Sequence, residues 1–248
     1  MAGPDARTAL AELRERIRVA PRLTLLTGAG VSAASGVPTF RGAGGLWRSF
    51  HAEDLATPEA FHRDPGLVWQ WYDWRRSVLA GCAPNPAHDV IARWTAREGV
   101  TLITQNVDGL HERAGAQNVI RFHGSVWRLR CSLGCGVAGG SWEDRRVPLP
   151  ELPPRCRGCG AYARPAVVWF GEAIDTAVMA AALDATACDV YLSIGTSSLV
   201  HPAAPLAARA KARGAYVVEI NPEPTPASPA FDLAIPLPAE TALPALDF

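Results

Sequence analysis

Four of the six cysteines stand in two close pairs, a spacing that suits metal binding. The first pair has three residues between its members, the second has two, and 20 residues separate the pairs. Two such pairs can place four thiolates around one tetrahedral zinc ion, which is then structural because no coordination position stays open. Four unrelated cysteines or two redox pairs are the alternatives. The predicted zinc ligands are Cys131, Cys135, Cys156 and Cys159, whereas Cys82 and Cys188 are predicted to be small buried residues.

A glycine-rich segment follows the first apolar run and predicts a nucleotide site. Residues 28–33 are G-A-G-V-S-A, directly after the run at 23–27. Glycines permit a tight turn and close backbone approach, and a following helix N-terminus offers N–H groups to a pyrophosphate. A strand-to-helix turn without a ligand is the alternative. The segment stays glycine-rich through residue 45, unlike a plain helix, which suggests a lid beside the ligand.

Polar residues follow three further apolar runs. They occupy 104–111, 195–198 and 219–223. Open α/β sheets bind ligands at the carboxyl ends of their strands, so we expect these segments to meet there. Asn106 and Asp108 could instead form a turn that caps a helix starting near Gly109. His123 is a candidate general base, with a satisfied core histidine as the alternative.

Strand and helix patterns alternate along the chain. Strands are predicted at 23–27, 100–104, 166–170, 190–194 and 216–220, and helices at 5–19, 87–98, 176–187 and 203–213. Asn85 and Pro86 supply the cap and first position of the second helix, and Gly214 ends the last one. Apolar strands alternating with helices predict an α/β fold, a doubly wound, Rossmann-like parallel sheet covered on both faces.

Two stretches interrupt this alternation. The first is rich in aromatic residues at helical spacing, and the second holds the four paired cysteines with many Gly, Pro and Arg residues. We therefore predict a single domain over residues 1–248. Its Rossmann-like core comprises approximately 1–41, 85–125 and 165–248, with a helical insertion at approximately 42–84 and a zinc module at approximately 126–164.

Composition and charge exclude several classes of partner. The 248 residues carry 24 basic and 24 acidic side chains, so neither nucleic acid nor an anionic membrane is expected as a partner. No apolar run reaches the roughly 20 residues of a membrane span, and the charged N-terminus lacks the apolar segment of a signal peptide. We expect a cytoplasmic protein whose cysteines stay reduced.

Together and in this order, these segments resemble the sirtuins, which are NAD-dependent protein deacylases. The resemblance rests on GAGVSAASGVPTFR at 28–41, TQNVDGLH at 104–111, HGS at 123–125, the cysteine pairs, VWFGE at 168–172, GTS at 195–197 and NPE at 221–223. It covers nearly the whole chain. One departure is in the tail: Leu237 replaces the family's usual Gly, and Ala239 is the candidate for the contact behind the adenine.

The resemblance implies the substrates and the site. NAD is a co-substrate, and the acyl oxygen of an acyl-lysine attacks the ribose carbon that carries nicotinamide. His123 acts as general base on the ribose hydroxyls, Asn106 orients ribose and water, and Asp108 accepts the nicotinamide amide. The products are nicotinamide, free lysine and O-acyl-ADP-ribose. The residues expected to contact NAD are Gly28, Ala29, Gly30, Ser32, Ala33, Thr39, Phe40, Arg41, Trp47, Gln105, Asn106, Val107, Asp108, Gly195, Thr196, Ser197, Asn221, Pro222, Glu223 and Ala239.

The resemblance also suggests how the acylated peptide binds. Val168, Trp169, Phe170 and Gly171 are expected to offer their backbone to the peptide as an added strand. Tyr72 and Arg75 match the Tyr-x-x-Arg of class III sirtuins, which remove acidic acyl groups, and Ala56 leaves room for a longer acyl chain. A guanidinium and a phenol can bind a succinyl carboxylate, so desuccinylation and demalonylation are expected beside deacetylation. A solvated Arg75 beside a half-buried Tyr72 is the alternative.

Two other functions are consistent with parts of the sequence. A nicotinamide-dependent dehydrogenase would use the glycine segment, but it explains neither the continuation of that segment nor the zinc module. A zinc-ribbon module that binds nucleic acid or peptide would leave the polar residues at the strand ends without a role. A change in absorbance as the nicotinamide cofactor is reduced would indicate the dehydrogenase. Release of nicotinamide on mixing with NAD and an acylated peptide distinguishes a sirtuin from the zinc-ribbon module.

Overall fold

The computed structural model describes residues 6–38, 46–47 and 50–248. The strands are β1 Leu23–Thr27, β2 Leu46–Trp47, β3 Phe50–His51, β4 Val100–Thr104, β5 Val119–Arg121, β6 Gly124–Cys131, β7 Trp142–Glu143, β8 Ala163–Val167, β9 Val190–Ile194, β10 Tyr216–Ile220 and β11 Leu233–Ile235. The α-helices are α1 Ala6–Val19, α2 Ala52–Leu55, α3 Pro58–Arg63, α4 Pro65–Gly81, α5 Pro86–Thr95, α6 Leu110–Arg113, α7 Thr176–Ala185, α8 Pro205–Ala212 and α9 Ala239–Leu246. Within the described ranges, none of these helices has both the length and the apolar character needed to cross a membrane.

Six strands form one parallel sheet in the order β11-β10-β9-β1-β4-β5. The central strand β1 pairs with β4 on one side and with β9 on the other. The chain first adds β4 and β5 on one side of β1 and later returns to add β9, β10 and β11 on the other. The connections that follow β1 and β9 therefore lead to opposite sides of the sheet and leave a crevice at the carboxyl ends of the strands, where open α/β sheets bind ligands.

Apolar side chains alternate between the two faces of this sheet, and helices cover both faces. Leu25 of β1 and its register partners Leu102 and Leu192 pack against α1, α5 and α9. Leu26 and its partner Ile103 pack on the opposite side, with α7 and α8. Because both faces are buried, the strands are continuous apolar runs.

The two stretches that interrupt the sheet share one hydrophobic core. Helices α2, α3 and α4 pack against the antiparallel sheet β7-β6-β8. Trp69 of α4 is fully buried, and its indole Nε1 donates to the carbonyl of Ala163 in β8 at 2.8 Å. Arg76 of the same helix is also fully buried, and its Nη2 lies 3.3 Å from Oδ1 of Asp144. The helices and the cysteine-bearing sheet thus form one smaller lobe.

The predicted doubly wound α/β fold is confirmed, and four predicted strands coincide with β1, β4, β9 and β10. The predicted helices correspond to α1, α5, α7 and α8, with ends shifted by a few residues. Asn85 caps α5 as predicted, because its side chain accepts the N–H of Ala87 at 2.9 Å. Strands β5 and β11 have three residues each and were not predicted, since so short a run shows no periodicity.

The strand predicted at 166–170 is wrong in its bounds and in its sheet. The observed strand β8 spans Ala163–Val167 and pairs antiparallel with β6 in the smaller lobe. The chain turns directly afterwards: the backbone N–H of Trp169 donates to Oε2 of Glu172 at 2.9 Å, and Gly171 has a φ of 85°. An apolar run shows that a segment is buried, but it does not show which neighbour pairs with it.

Candidate active site

A cavity of about 330 Å³ lies at the carboxyl ends of β1, β4 and β9, between the parallel sheet and the smaller lobe. Residues predicted from the sequence form most of its wall: Gly28, Ala29, Gly30, Ala56, Tyr72, Arg75, Gln105, Asn106, Val107, His123, Val168, Trp169, Phe170, Gly171, Gly195, Thr196 and Ser197. The wall also contains Glu53, Ile174 and His201, which the sequence did not single out.

The loops after β1 and β9 contact each other through glycines. The N–H of Gly28 donates to the carbonyl of Ile194 at 3.0 Å, and the N–H of Gly30 donates to the carbonyl of Gly195 at 2.8 Å. A Cβ on Gly30 would lie 2.8 Å from the Cα of Gly195, which is closer than a side chain tolerates. The contact between the two loops therefore requires glycine, in addition to any approach of the backbone to a phosphate.

Polar side chains at the ends of β1 and β4 are joined by hydrogen bonds. Nε2 of Gln105 donates to Oγ1 of Thr196 at 2.9 Å, which connects β4 to the loop after β9. Nδ2 of Asn106 donates to Oγ of Ser32 at 3.1 Å, and that hydroxyl donates to Oδ2 of Asp108 at 2.8 Å. Burial raises the pKa of the Asp108 carboxyl. Ser32 and Asp108 lie behind the cavity wall, where they position Asn106.

Two buried histidines, His88 and His111, extend this network, although neither was predicted as a site residue. Nδ1 of His88 accepts the N–H of Asn85 at 3.2 Å, so Nε2 carries the hydrogen and faces Oγ of Ser32 at 3.3 Å. Burial lowers the pKa of His88 to about 4 and that of His111 to about 3, so both rings are neutral at pH 7. The available signal was the Asn-x-x-His spacing at 85–88, a capping arrangement that points the imidazole back toward the start of α5.

His123 lies in the turn between β5 and β6, and it forms part of the cavity wall. Its Nδ1 is 3.1 Å from the carbonyl oxygen of Gln105. A carbonyl only accepts, so Nδ1 carries the hydrogen and the lone pair is on Nε2. Burial lowers the pKa of the imidazole below its ordinary 6.5, and the bond to Gln105 offsets part of this effect. At neutral pH the ring is a neutral base.

Tyr72 and Arg75 lie on one face of α4, and both belong to the cavity wall. The alternative of a solvated surface arginine is wrong, since Arg75 is only 8% exposed. Burial lowers the pKa of its guanidinium, which nevertheless stays charged at any physiological pH. Burial raises the pKa of Tyr72 to about 12, so the phenol keeps its hydrogen. The wall thus offers a cation beside a hydroxyl donor.

The segment after β8 contacts both lobes through its backbone. The N–H of Val168 donates to the carbonyl of His123 at 2.9 Å, and the N–H of Phe170 donates to the carbonyl of Ala56, also at 2.9 Å. These two donors are used within the chain. A peptide strand added here would therefore depend on other backbone groups of the segment, such as its carbonyl oxygens.

Several predicted NAD contacts lie away from the cavity wall. Nδ2 of Asn221 reaches the carbonyl of Thr196 at 3.4 Å, whereas Ala33, Pro222 and Glu223 are exposed. Ala239 is 3% exposed and packs in the core under the parallel sheet, so the structure does not bring it to the cavity. Thr39, Phe40 and Arg41, and the side chain of Trp47, lie outside the described residues.

The four paired cysteines form a cluster that fits one metal ion. Their Sγ atoms all lie within 4.8 Å of one another. The Sγ separation is 3.5 Å for Cys131 and Cys159 and also for Cys135 and Cys156. Four thiolates about 2.3 Å from a tetrahedral zinc are about 3.8 Å apart, so little movement is needed to bind it. A zinc ion bound there would have four protein ligands and no open position, so it would be structural.

Comparison with known proteins places this arrangement in a family. The model of the Sir2 family matches residues 28–202. An NAD-dependent protein deacylase of Aquifex aeolicus is 47% identical over 223 residues, which is 89% of this chain and 92% of the relative. The mitochondrial NAD-dependent protein deacylase sirtuin-5 of Canis lupus familiaris is 43% identical over 98% of this chain and 86% of its own. The crystal structure of a Sir2 homologue in complex with NAD has a TM-score of 0.88 at 41% identity, covering 99% of this chain and 93% of the other.

The matched region contains the whole cavity wall, both cysteine pairs and the loops at the switch point of the sheet. The predicted sirtuin resemblance is therefore confirmed, with NAD as co-substrate and a cysteine cluster that fits one structural zinc. The chain belongs to the Sir2 family of NAD-dependent protein deacylases.

Proposed function

We propose that the protein removes succinyl and malonyl groups, as well as acetyl groups, from lysine side chains of other proteins. Each reaction consumes NAD and water and gives nicotinamide, free lysine and an O-acyl-ADP-ribose. The observation that carries the proposal is the buried guanidinium of Arg75 in the cavity wall, on the same helix face as the hydroxyl of Tyr72. A guanidinium can bind a carboxylate bidentately, and a phenol adds a charge-assisted hydrogen bond.

In this proposal His123 is the general base. Its Nε2 takes a proton from the ribose hydroxyls after nicotinamide has left, and the freed 2′-oxygen attacks the carbon of the acyl group. Asn106, held by Ser32, orients the ribose and the water that completes the reaction. Asp108 binds the same hydroxyl and supports Asn106 from behind the cavity wall.

The proposed substrates are acylated proteins recognised mainly through their backbone by the segment 168–171. Such pairing reads little of the substrate sequence, so one enzyme can act on many proteins. We also propose a cytoplasmic location. The four thiols of the cysteine cluster must stay reduced to bind zinc, as they do in a reducing compartment.

As the pH is lowered, the deacylase activity is expected to fall only below pH 6.5. Burial lowers the pKa of His123, so the neutral, proton-accepting form persists to lower pH than in a free histidine. Activity is then lost as the pH falls through this lowered pKa. The measurement is kcat/KM for one acetylated peptide from about pH 5 to about pH 8. Thermal unfolding at each pH separates titration from loss of fold, and an acid limb centred above pH 6.5 contradicts the assignment.

Replacing Arg75 with Met is expected to lower desuccinylation far more than deacetylation. Only the acidic acyl group uses the guanidinium, and a hydrogen bond between charged groups is worth enough for a loss of about 10- to 100-fold. The measurement is the ratio of kcat/KM for succinyl-lysine and acetyl-lysine in one peptide sequence.

Arg63→Met is the matched control. Arg63 is an exposed arginine at the end of α3 that does not line the cavity, so this variant keeps the wild-type ratio. An equal loss of both activities in Arg75→Met refutes the acyl preference, as does a wild-type protein with no activity on the succinylated peptide.

A further inference from the structure

We propose that Trp169 is a positioning residue for acyl selectivity, because its indole N–H fixes the hydroxyl of Tyr72 as a donor toward an acidic acyl group. The inference rests on the proposed desuccinylase function and adds a residue that acts through Tyr72. Both side chains lie in the wall of the same cavity, although they are 97 positions apart in the chain.

The direction of the hydrogen bond between these two side chains is fixed by chemistry. Nε1 of Trp169 lies 2.9 Å from the phenolic oxygen of Tyr72. An indole nitrogen only donates, so the phenolic oxygen is the acceptor. The hydrogen of the phenol must then turn away from Trp169, and it stays on the oxygen because the pKa of Tyr72 is raised to about 12. Tyr72 is thereby left as a donor.

The phenol ring has little freedom of its own. Its centroid lies 4.5 Å from that of Trp71 and 6.2 Å from that of Trp69, both in edge-on arrangements, and Tyr72 is 3% exposed. With the ring held, the remaining freedom is rotation of the O–H bond. The indole N–H restricts that rotation, so the donor is oriented before a substrate binds.

The indole is in turn held by an ion pair. The guanidinium carbon of Arg164 lies 3.2 Å from the centroid of the Trp169 ring. Nη1 of Arg164 donates to Oε1 of Glu172 at 2.6 Å, and Nη2 donates to Oε2 at 2.8 Å. Oε2 also accepts the backbone N–H of Trp169 at 2.9 Å. One carboxylate therefore holds both the main chain of Trp169 and the cation that packs on its ring.

Packing alone does not require a tryptophan at position 169. Phe61 already packs against Trp169, with ring centroids 5.3 Å apart, and a phenylalanine at 169 would keep an aromatic ring there. What phenylalanine lacks is the N–H directed at Tyr72. The substitution Trp169→Phe therefore isolates the hydrogen bond from most of the apolar contact.

The test is a double-mutant cycle of Trp169→Phe and Tyr72→Phe, with one peptide sequence carrying succinyl-lysine or acetyl-lysine. Trp169→Phe is expected to lower the succinyl-to-acetyl ratio of kcat/KM by about 5- to 10-fold, mainly through a higher KM for the succinylated peptide. When Tyr72→Phe is already present, adding Trp169→Phe should not change the ratio further, because the Tyr72 hydroxyl that the indole N–H orients is absent.

Trp94→Phe is the matched control, because Trp94 donates its indole N–H to Asp247 in the other lobe and should not change the ratio.

An unchanged ratio in Trp169→Phe overturns the inference, and so does an equal fall in both backgrounds. If Trp169→Phe does not fold, position 169 is replaced with benzothienylalanine, which has the shape of tryptophan without the N–H. The same outcomes then test the role of Trp169.

The experiments distinguish failure of this inference from failure of the proposed desuccinylase function. A selective loss in Arg75→Met with no change in Trp169→Phe refutes only the role of Trp169, whereas a wild-type protein inactive on the succinylated peptide refutes both.

Discussion

His123→Ala is expected to reduce deacylation by at least about 10²-fold while the protein keeps its fold and its zinc. Within the described part of the chain, the imidazole donates from Nδ1 to the carbonyl of Gln105, and the loss of this bond costs little stability. What is lost is the Nε2 lone pair in the cavity wall, which is the proton acceptor in the proposed reaction. The measurement is kcat for an acetylated peptide, with unfolding temperature and zinc content determined on the same sample.

A second readout separates a base from a structural histidine. In the proposed reaction His123 acts after nicotinamide has left, so exchange of labelled nicotinamide into NAD should fall much less than deacylation. His62→Ala is the control, because His62 is exposed on α3 and lies outside the cavity wall. Turnover near that of the wild type in His123→Ala, or parallel loss of exchange and deacylation, refutes the role of His123 as base.

Removing two zinc ligands, with Cys156→Ser and Cys159→Ser combined, is expected to abolish zinc binding and soluble folding together. Structural zinc contributes roughly 10–16 kcal/mol of binding free energy in small metal-binding modules, which is comparable to the whole stability of a domain. The cluster holds the end of β6, and β6 pairs with β8. His123 directly precedes β6 and Val168 directly follows β8, so loss of zinc should disturb the cavity as well.

Zinc content per chain and thermal unfolding are the measurements for this variant. Cys82→Ser is the control, since Cys82 lies outside the cluster and its thiol donates to the carbonyl of Val78, a bond that serine can replace. The control should keep one zinc per chain. A doubly substituted protein that is free of metal, folded and active refutes the structural role of zinc.

The sequence by itself determined the elements whose signals are local. The strands β1, β4, β9 and β10 are continuous apolar runs because both faces of the parallel sheet are buried, and such runs are visible without knowledge of their partners. The cap of α5 by Asn85 depends only on neighbours in the chain. The spacing within each cysteine pair likewise reflects the local turn that presents two thiols to one ion.

The sequence predicted which residues belong to the site better than it predicted how they are arranged. Polar groups at the ends of parallel strands must meet at one edge of the sheet, which is why Asn106, His123 and Thr196 all reach the cavity. The same reasoning could not show that Ser32 and Asp108 stand behind the wall. Depth below a surface depends on what packs above a residue, and that is set by other segments.

Only the tertiary structure decided which distant residues meet. In the structure β8 pairs with β6 outside the parallel sheet, and Ala239 is buried away from the cavity. The helical insertion and the cysteine-bearing segment share one hydrophobic core. The tertiary structure also brought together Trp169 and Tyr72, which are 97 positions apart in the chain. The physical reason is that residue type and spacing fix what a side chain can do and how its own segment folds. The partner of a buried group is chosen by close packing of the whole chain, in which each contact depends on all the others.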